Sequence, residues 1–136
     1  GRISTEEYLA RYRVCDLFLD TFPYNAGTTA SDSLWVGLPV LTLTGRSFAS
    51  RMAASLLNAI GLPELITNTQ EEYEALAIEL AMNPSKLAHM KLKLADNRLT
   101  APLFDTPLFT KNIEAAYIKM HELYQDDLEP DYITIV

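Results

Sequence analysis

From Pro23 to Asp32 the chain reads Pro-Tyr-Asn-Ala-Gly-Thr-Thr-Ala-Ser-Asp. A short apolar run, Leu17-Phe18-Leu19-Asp20, precedes it, and the helix-like Ser33-Leu34-Trp35-Val36 follows. A strand, a turn of small residues and a helix start make an anion site. The first N–H groups of a helix have no internal partner and the helix dipole adds partial positive charge there. Gly27 lets the backbone approach a bulky anion, and the hydroxyls of Thr28 and Thr29 can donate to phosphate oxygens. Asp32, one turn further on, can accept from a sugar hydroxyl. Phosphate donors beside a carboxylate acceptor suit a nucleotide diphosphate. The same residues also read as an ordinary helix cap, with Thr29 and Asp32 resembling a weak capping box. Local chemistry leaves both readings open.

A second strand-to-helix turn, Gly45-Arg46-Ser47, follows the apolar Val40-Leu41-Thr42-Leu43. Arg46 can meet a phosphate or an acceptor there, although a solvated arginine is the simpler reading. Arg51, inside the next helical run, is expected to form a structural ion pair. Asp16 and Asp20 flank one strand without a facing partner, so they do not make a glycosidase pair; Asp20 lies nearer the carboxyl edge and is the better site candidate. His89 and His121 fall on predicted helices away from both turns, at a spacing that makes no metal pair. Trp35, between Leu34 and Val36, is expected in the core, and Cys15 in Val14-Cys15-Asp16-Leu17 is expected to be a buried structural thiol. No zinc spacing, P-loop lysine or Ser-His-Asp order is present.

The 136 residues are enough for one domain with a real core, and 49% hydrophobic with 21% charged residues is an ordinary globular balance. A formal net charge of -7 argues against a non-specific nucleic-acid binder and against binding to anionic membranes. One cysteine excludes an internal disulfide framework and agrees with a reducing compartment. No apolar stretch reaches membrane-spanning length and no signal peptide is visible, which points to a cytoplasmic protein. The chain begins with Gly1, so it reads as a piece of a longer protein.

The elements that must position these residues alternate. A capping box at Ser4-Thr5-Glu6-Glu7 starts a helix over about 5–13, and Asp16 to Asp20 reads as a buried strand. A helix over about 29–37 ends at Gly37, and 40–43 is a second buried strand. Phe48, Met52, Leu56 and Ile60 share a helical face that closes at Gly61. Residues 63–67 make a weaker third strand. Thr69 and Glu72 cap a helix carrying Tyr73, Leu76, Ala77 and Leu80, and Asn83-Pro84 starts another that runs to about 99. A loop with two prolines over 101–107 leads to a last helix over 110–125, with Ile113, Ala116, Tyr117, Met120 and Tyr124 inward, and then to an acidic and apolar tail. Strands alternating with helices predict an α/β fold with a parallel sheet, half of a nucleotide-binding domain, followed by C-terminal helices. Both turns then lie at the carboxyl ends of strands, where such sheets bind ligands. A sheet of three strands leaves an edge open to self-association.

The series Leu19-Asp20-Thr21, Tyr24-Asn25-Ala26-Gly27-Thr28-Thr29, Asp32-Ser33-Leu34-Trp35-Val36-Gly37-Leu38-Pro39, Thr42-Leu43-Thr44-Gly45 and Ala49-Ser50-Arg51-Met52-Ala53-Ala54-Ser55 resembles the C-terminal catalytic region of the O-linked N-acetylglucosamine transferases, glycosyltransferase family 41. It is also similar to the related bacterial tetratricopeptide-repeat proteins and the plant SPINDLY proteins. The similarity runs on through Glu72-Tyr73 and Pro102-Leu103-Phe104-Asp105 to Tyr124. The resemblance implies a doubly wound, Rossmann-like sheet, and that residues 1–136 are the C-terminal, donor-nucleotide-binding half of a GT-B glycosyltransferase. Such an enzyme transfers a sugar from a UDP-sugar to Ser or Thr hydroxyls of an acceptor protein without a required metal or other cofactor. By position, Gly27, Thr28 and Thr29 would meet the donor diphosphate, Asp32 would hold the ribose, and Gly45, Arg46 and Ser47 are candidates for further contacts. The animal enzymes carry His where Gly27 stands. The residues nearest the chemistry and the repeats that hold protein substrates are expected upstream of this segment, so the catalytic residues are unassigned and the isolated chain is expected to be inactive in transfer. The alternative is a non-catalytic module that binds a nucleotide, a protein or a second copy of itself.

Overall fold

The computed structural model describes Gly1 and residues 3–135. They form two compact units, divided after Leu103. In the first unit a three-stranded parallel sheet has the order β1 (Phe18–Leu19), β2 (Val40–Leu43), β3 (Ile66–Thr67). Phe18 pairs with Val40 and Leu19 with Leu41; Thr42 pairs with Ile66 and Leu43 with Thr67. In the central strand Val40, Leu41 and Thr42 are fully buried, as a strand covered on both faces requires.

Helices α1 (Thr5–Arg11), α2 (Thr28–Val36), α3 (Met52–Ala59), α4 (Gln70–Met82) and α5 (Pro84–Asn97) surround this sheet, and α2, α3 and α4 pack on β2. The core is Leu34, Leu41, Leu57, Ile60, Leu62, Leu65, Leu80 and Leu94, each at most 1% exposed. Parallel strands joined through helices are the α/β, Rossmann-like class expected. Most helix ends follow the capping chemistry. The Glu7 N–H donates to the Ser4 hydroxyl, the Glu72 N–H to Thr69, and the Lys86 N–H to Asn83 Oδ1. Glu72 reaches back to the Asn68 N–H, one residue before the cap, at 2.9 Å. Gly37 ends α2 at φ 91°, a conformation an L side chain resists. The Arg98 guanidinium, donating to the Trp35 carbonyl at 2.8 Å, satisfies the same helix end.

Several expectations shift. Pro63–Leu65 is a 3-10 turn rather than strand, so β3 has two residues. The run after Phe48 opens with a 3-10 turn, Ala49–Arg51, before α3 begins, and Phe48 is 76% exposed. Cys15 is exposed, because it follows a 3-10 turn and sits outside the sheet. Trp35 is 51% exposed, lying on the face of α2 opposite the buried Leu34 and Ala30. Arg51 is exposed and makes none of the ion pairs found among the described residues.

The second unit holds α6 (Thr106–Gln125). It starts earlier than expected because Asp105 caps it, accepting from the Leu108 N–H at 2.9 Å, and Pro107 sits in the first turn, where its missing N–H is harmless. Ile113 and Ala116 are half-buried, but Tyr117, Met120 and Tyr124 stand exposed, against the inward stripe expected. No helix among the described residues is long and apolar enough to cross a membrane.

Candidate functional site

The first turn leaves β1 at Asp20 and enters α2 at Thr28. Gly27 is the N-cap at φ -104°, and no side chain caps the helix start. Thr28 and Thr29 are therefore the first two helical residues, and Thr29 is not the cap of a capping box. The first bond into the helix runs from the Ser31 N–H to the Gly27 carbonyl at 3.0 Å. The N–H groups before it have no partner within the helix, and Thr28 and Thr29 are exposed residues. A Cβ built on Gly27 would lie 3.5 Å from Met52 Cε, an ordinary contact, so the turn has room for a side chain it does not carry.

Asp32, half-buried and one turn on, is oriented from α1. The Tyr8 hydroxyl donates to Asp32 Oδ2 at 3.2 Å and lies 2.6 Å from the Tyr12 hydroxyl. Tyr8 spends its one proton on the carboxylate, so Tyr12 donates to Tyr8. The two rings meet edge to face with centroids 5.4 Å apart. Burial first, then Tyr8 and Asp32, pushes the Tyr12 phenol well above the usual tyrosine range.

Beneath the turn lies a buried polar layer. Asp20, 2% exposed, accepts from the Ala26 N–H at 2.8 Å through Oδ1 and from the Thr42 hydroxyl at 2.6 Å through Oδ2. Asn25, also 2% exposed, donates through Nδ2 to Thr42 Oγ1 at 2.7 Å and to the Leu43 carbonyl at 2.9 Å. Since a carbonyl only accepts, the amide orientation is settled, and Asn25 Oδ1 is buried without a partner among the described residues. Tyr73 on α4 donates to the Asp20 carbonyl at 2.9 Å, and burial followed by the nearby Asp20 charge raises its phenol above the ordinary range. Of this layer only Asp20 stood out in the sequence. Asn25, Thr42 and Tyr73 carried no signal beyond their positions in the turn, the strand and the helix stripe.

The second turn leaves β2 and closes on itself. The Gly45 N–H donates to the Ser50 carbonyl, the Ser50 N–H to the Ser47 hydroxyl, and the two serine hydroxyls are 2.9 Å apart. Gly45, Arg46 and Ser47 line a cavity of about 260 Å³ with Phe22, Pro23, Leu43, Thr44 and Ser50. Gly27, Thr28, Thr29 and Asp32 are not among its walls. A larger cavity of about 500 Å³ lies against Leu19, Leu80 and Leu87, mostly apolar and away from both turns. Asp16, at its rim, is ion-paired with Lys91 at 2.6 Å. His89 and His121 are exposed on α5 and α6. Among the described residues no three His, Cys, Asp or Glu side chains come together.

The family model of glycosyl transferase family 41 matches residues 2–113. The chain is 40% identical over 131 residues to the probable UDP-N-acetylglucosamine--peptide N-acetylglucosaminyltransferase SEC of Arabidopsis thaliana, covering 96% of this chain and 13% of that protein. It is 36% identical over 131 residues to the UDP-N-acetylglucosamine--peptide N-acetylglucosaminyltransferase of Caenorhabditis elegans, covering 96% of this chain and 11% of that protein. A solved structure of a Thermobaculum terrenum O-GlcNAc transferase mutant superposes with a TM-score of 0.82 at 38% identity, over 87% of this chain and 23% of that one. The chain thus spans about an eighth of the length of the curated relatives it matches. Sequence and backbone agree, and the chain belongs to glycosyl transferase family 41.

Proposed function

We propose that these residues form the donor-nucleotide-binding part of a protein O-glycosyltransferase, the C-terminal half of its GT-B catalytic region. The observation that carries this reading is the uncapped start of α2, where Thr28 and Thr29 are exposed and Asp32 stands one turn away. In this role the N–H groups and the hydroxyls of Thr28 and Thr29 stabilise the negative charge that grows on a departing nucleotide diphosphate. One such donor is worth on the order of 3 kcal/mol in a barrier. Asp32, held by Tyr8, accepts from the ribose hydroxyls. The expected donor is UDP-N-acetylglucosamine, the substrate in the names of the relatives, and the expected acceptor is a Ser or Thr hydroxyl of a protein. Gly45, Arg46 and Ser47 border the small cavity beside the strand ends, where further donor contacts fit. Neither a metal nor another cofactor enters this scheme, and the catalytic base comes from outside these residues.

Calorimetric titration with UDP, UMP and GDP tests the reading. UDP should bind more tightly than UMP, because the second phosphate meets the α2 N-terminus, and Thr29→Val should narrow that gap. Equal affinity for UDP and UMP contradicts a diphosphate site. Incubation with UDP-N-acetylglucosamine and a serine-containing peptide should give no transfer by the chain alone. Transfer would show that the catalytic groups lie within it. Gly27, which brings no side chain to the helix start, also favours a second reading as a non-catalytic nucleotide-binding module. Nucleotide binding by a longer parent protein with no turnover would select it.

A further inference from the structure

We infer that Asp20 is a positioning residue, clamping the two residues before Gly27 to the ends of β1 and β2 and so setting how the start of α2 presents its N–H groups to a phosphate. This rests on the reading of the Gly27–Asp32 segment as a diphosphate site.

The chain of protons runs one way. Asn25 Nδ2 donates to Thr42 Oγ1, and the Thr42 hydroxyl donates to Asp20 Oδ2. Asp20 Oδ1 receives the Ala26 N–H. Asn25 and Ala26 are consecutive and lead directly into the Gly27 cap. One is pinned by its side chain and the other by its backbone. Asp20, Asn25 and Thr42 are at most 2% exposed, so water does not replace these bonds cheaply. Tyr73 fixes the Asp20 backbone from α4. The start of α2 therefore cannot rotate or slide without breaking a buried bond.

The chemistry also explains a carboxylate rather than an amide at this position. Both partners of Asp20 are donors, the Ala26 N–H and the Thr42 hydroxyl. An asparagine has one acceptor oxygen and one NH₂, so its NH₂ would face either the Ala26 N–H or the Thr42 hydroxyl, whose own proton would then lose its acceptor. Asp20→Asn thus keeps the shape and breaks one of the two clamps. Asp20 acts through the backbone and does not itself meet the nucleotide.

Amide hydrogen exchange, followed by NMR on the whole chain, and UDP titration should be run on the unmutated protein and on Asp20→Asn, Thr42→Val and Thr42→Ser. Asp20→Asn should speed exchange at Ala26 by about tenfold or more and weaken UDP by about tenfold, the scale of one lost charge-assisted bond. Exchange in α3, at Leu57, should stay unchanged. Thr42→Ser, which keeps the hydroxyl, should retain both properties, and Thr42→Val should lose them in part. If Asp20→Asn does not fold, Thr42→Val carries the comparison. Unchanged exchange at Ala26, a loss of protection spread equally through α2 and α3, or unchanged UDP affinity in a loosened turn would each overturn the inference. An unmutated chain that binds no UDP would contradict the diphosphate reading instead, and the exchange comparison would still decide whether Asp20 holds the turn.

Discussion

The two strand-to-helix turns stand side by side at the carboxyl end of the sheet and solve the same problem in opposite ways. The turn after β2 satisfies itself. Gly45, Ser47 and Ser50 exchange backbone and hydroxyl bonds within six residues, and the Arg51 N–H is taken by the Phe48 carbonyl. The turn after β1 is tied down from below by Asp20, Asn25 and Thr42, and its upper rim at the start of α2 has no capping side chain. A helix start held rigidly from behind and left uncapped in front is preorganised for an outside anion. A turn that spends its donors internally has fewer to offer.

The sharpest way to break this contrast is to remove the clamp. Asp20→Ala leaves the buried Thr42 hydroxyl and the part-buried Ala26 N–H without their acceptor, and should lower stability by about 3 kcal/mol in urea denaturation. Next comes the closed turn. A Cβ on Gly45 would sit 2.6 Å from Ser50 Oγ and 2.8 Å from Ser50 Cβ, and Ser50 is buried, so Gly45→Ala should cost about 2 kcal/mol. Gly27→Ala, at an ordinary contact distance and negative φ, should change stability by less than about 0.5 kcal/mol in the same experiment. Equal costs at the two glycines would erase the distinction between an open and a packed turn.

Smaller effects sharpen the ligand side. Asp32→Ala should weaken UDP by about tenfold in calorimetry. Tyr8→Phe, which removes the bond that orients Asp32 together with the one Tyr8 accepts from Tyr12, should weaken it by about threefold. The smallest effect is a pH dependence. Tyr12 is held above the ordinary tyrosine value, near 10 in an unfolded chain, so the unfolded state releases its proton first. The contribution to stability is whole below pH 10 and declines as the pH rises beyond it. Ultraviolet titration of the folded protein should show Tyr12 ionising late, and Tyr8→Phe should bring it earlier.

Apolar runs and caps made most of the fold legible from the residues. Val40 to Leu43 reads as a buried strand because every position is apolar or β-branched, and Ser4, Thr69 and Asn83 mark helix starts through their own side chains. Trp35, Cys15 and Phe48 misled because neighbouring apolar residues do not say which face of a helix or turn turns inward. Asp105-Thr106-Pro107 read as loop because proline breaks helices, yet in a first turn it breaks nothing. At the candidate site Gly27, Thr28, Thr29 and Asp32 were visible from type and spacing. The layer beneath them was not, since Thr42 reaches Asp20 and Asn25 only once β1 lies beside β2, and Tyr73 reaches the Asp20 carbonyl from α4.

Amide NMR of the chain titrated with UDP, with GDP in parallel and Asp32→Ala as control, decides whether the start of α2 is a diphosphate site. Shifts should centre on residues 27–32 and weaken in the mutant, with a preference between the two bases that identifies the donor. Shifts confined to other parts of the chain, or shifts at 27–32 of equal strength in Asp32→Ala and with inorganic phosphate, would contradict it.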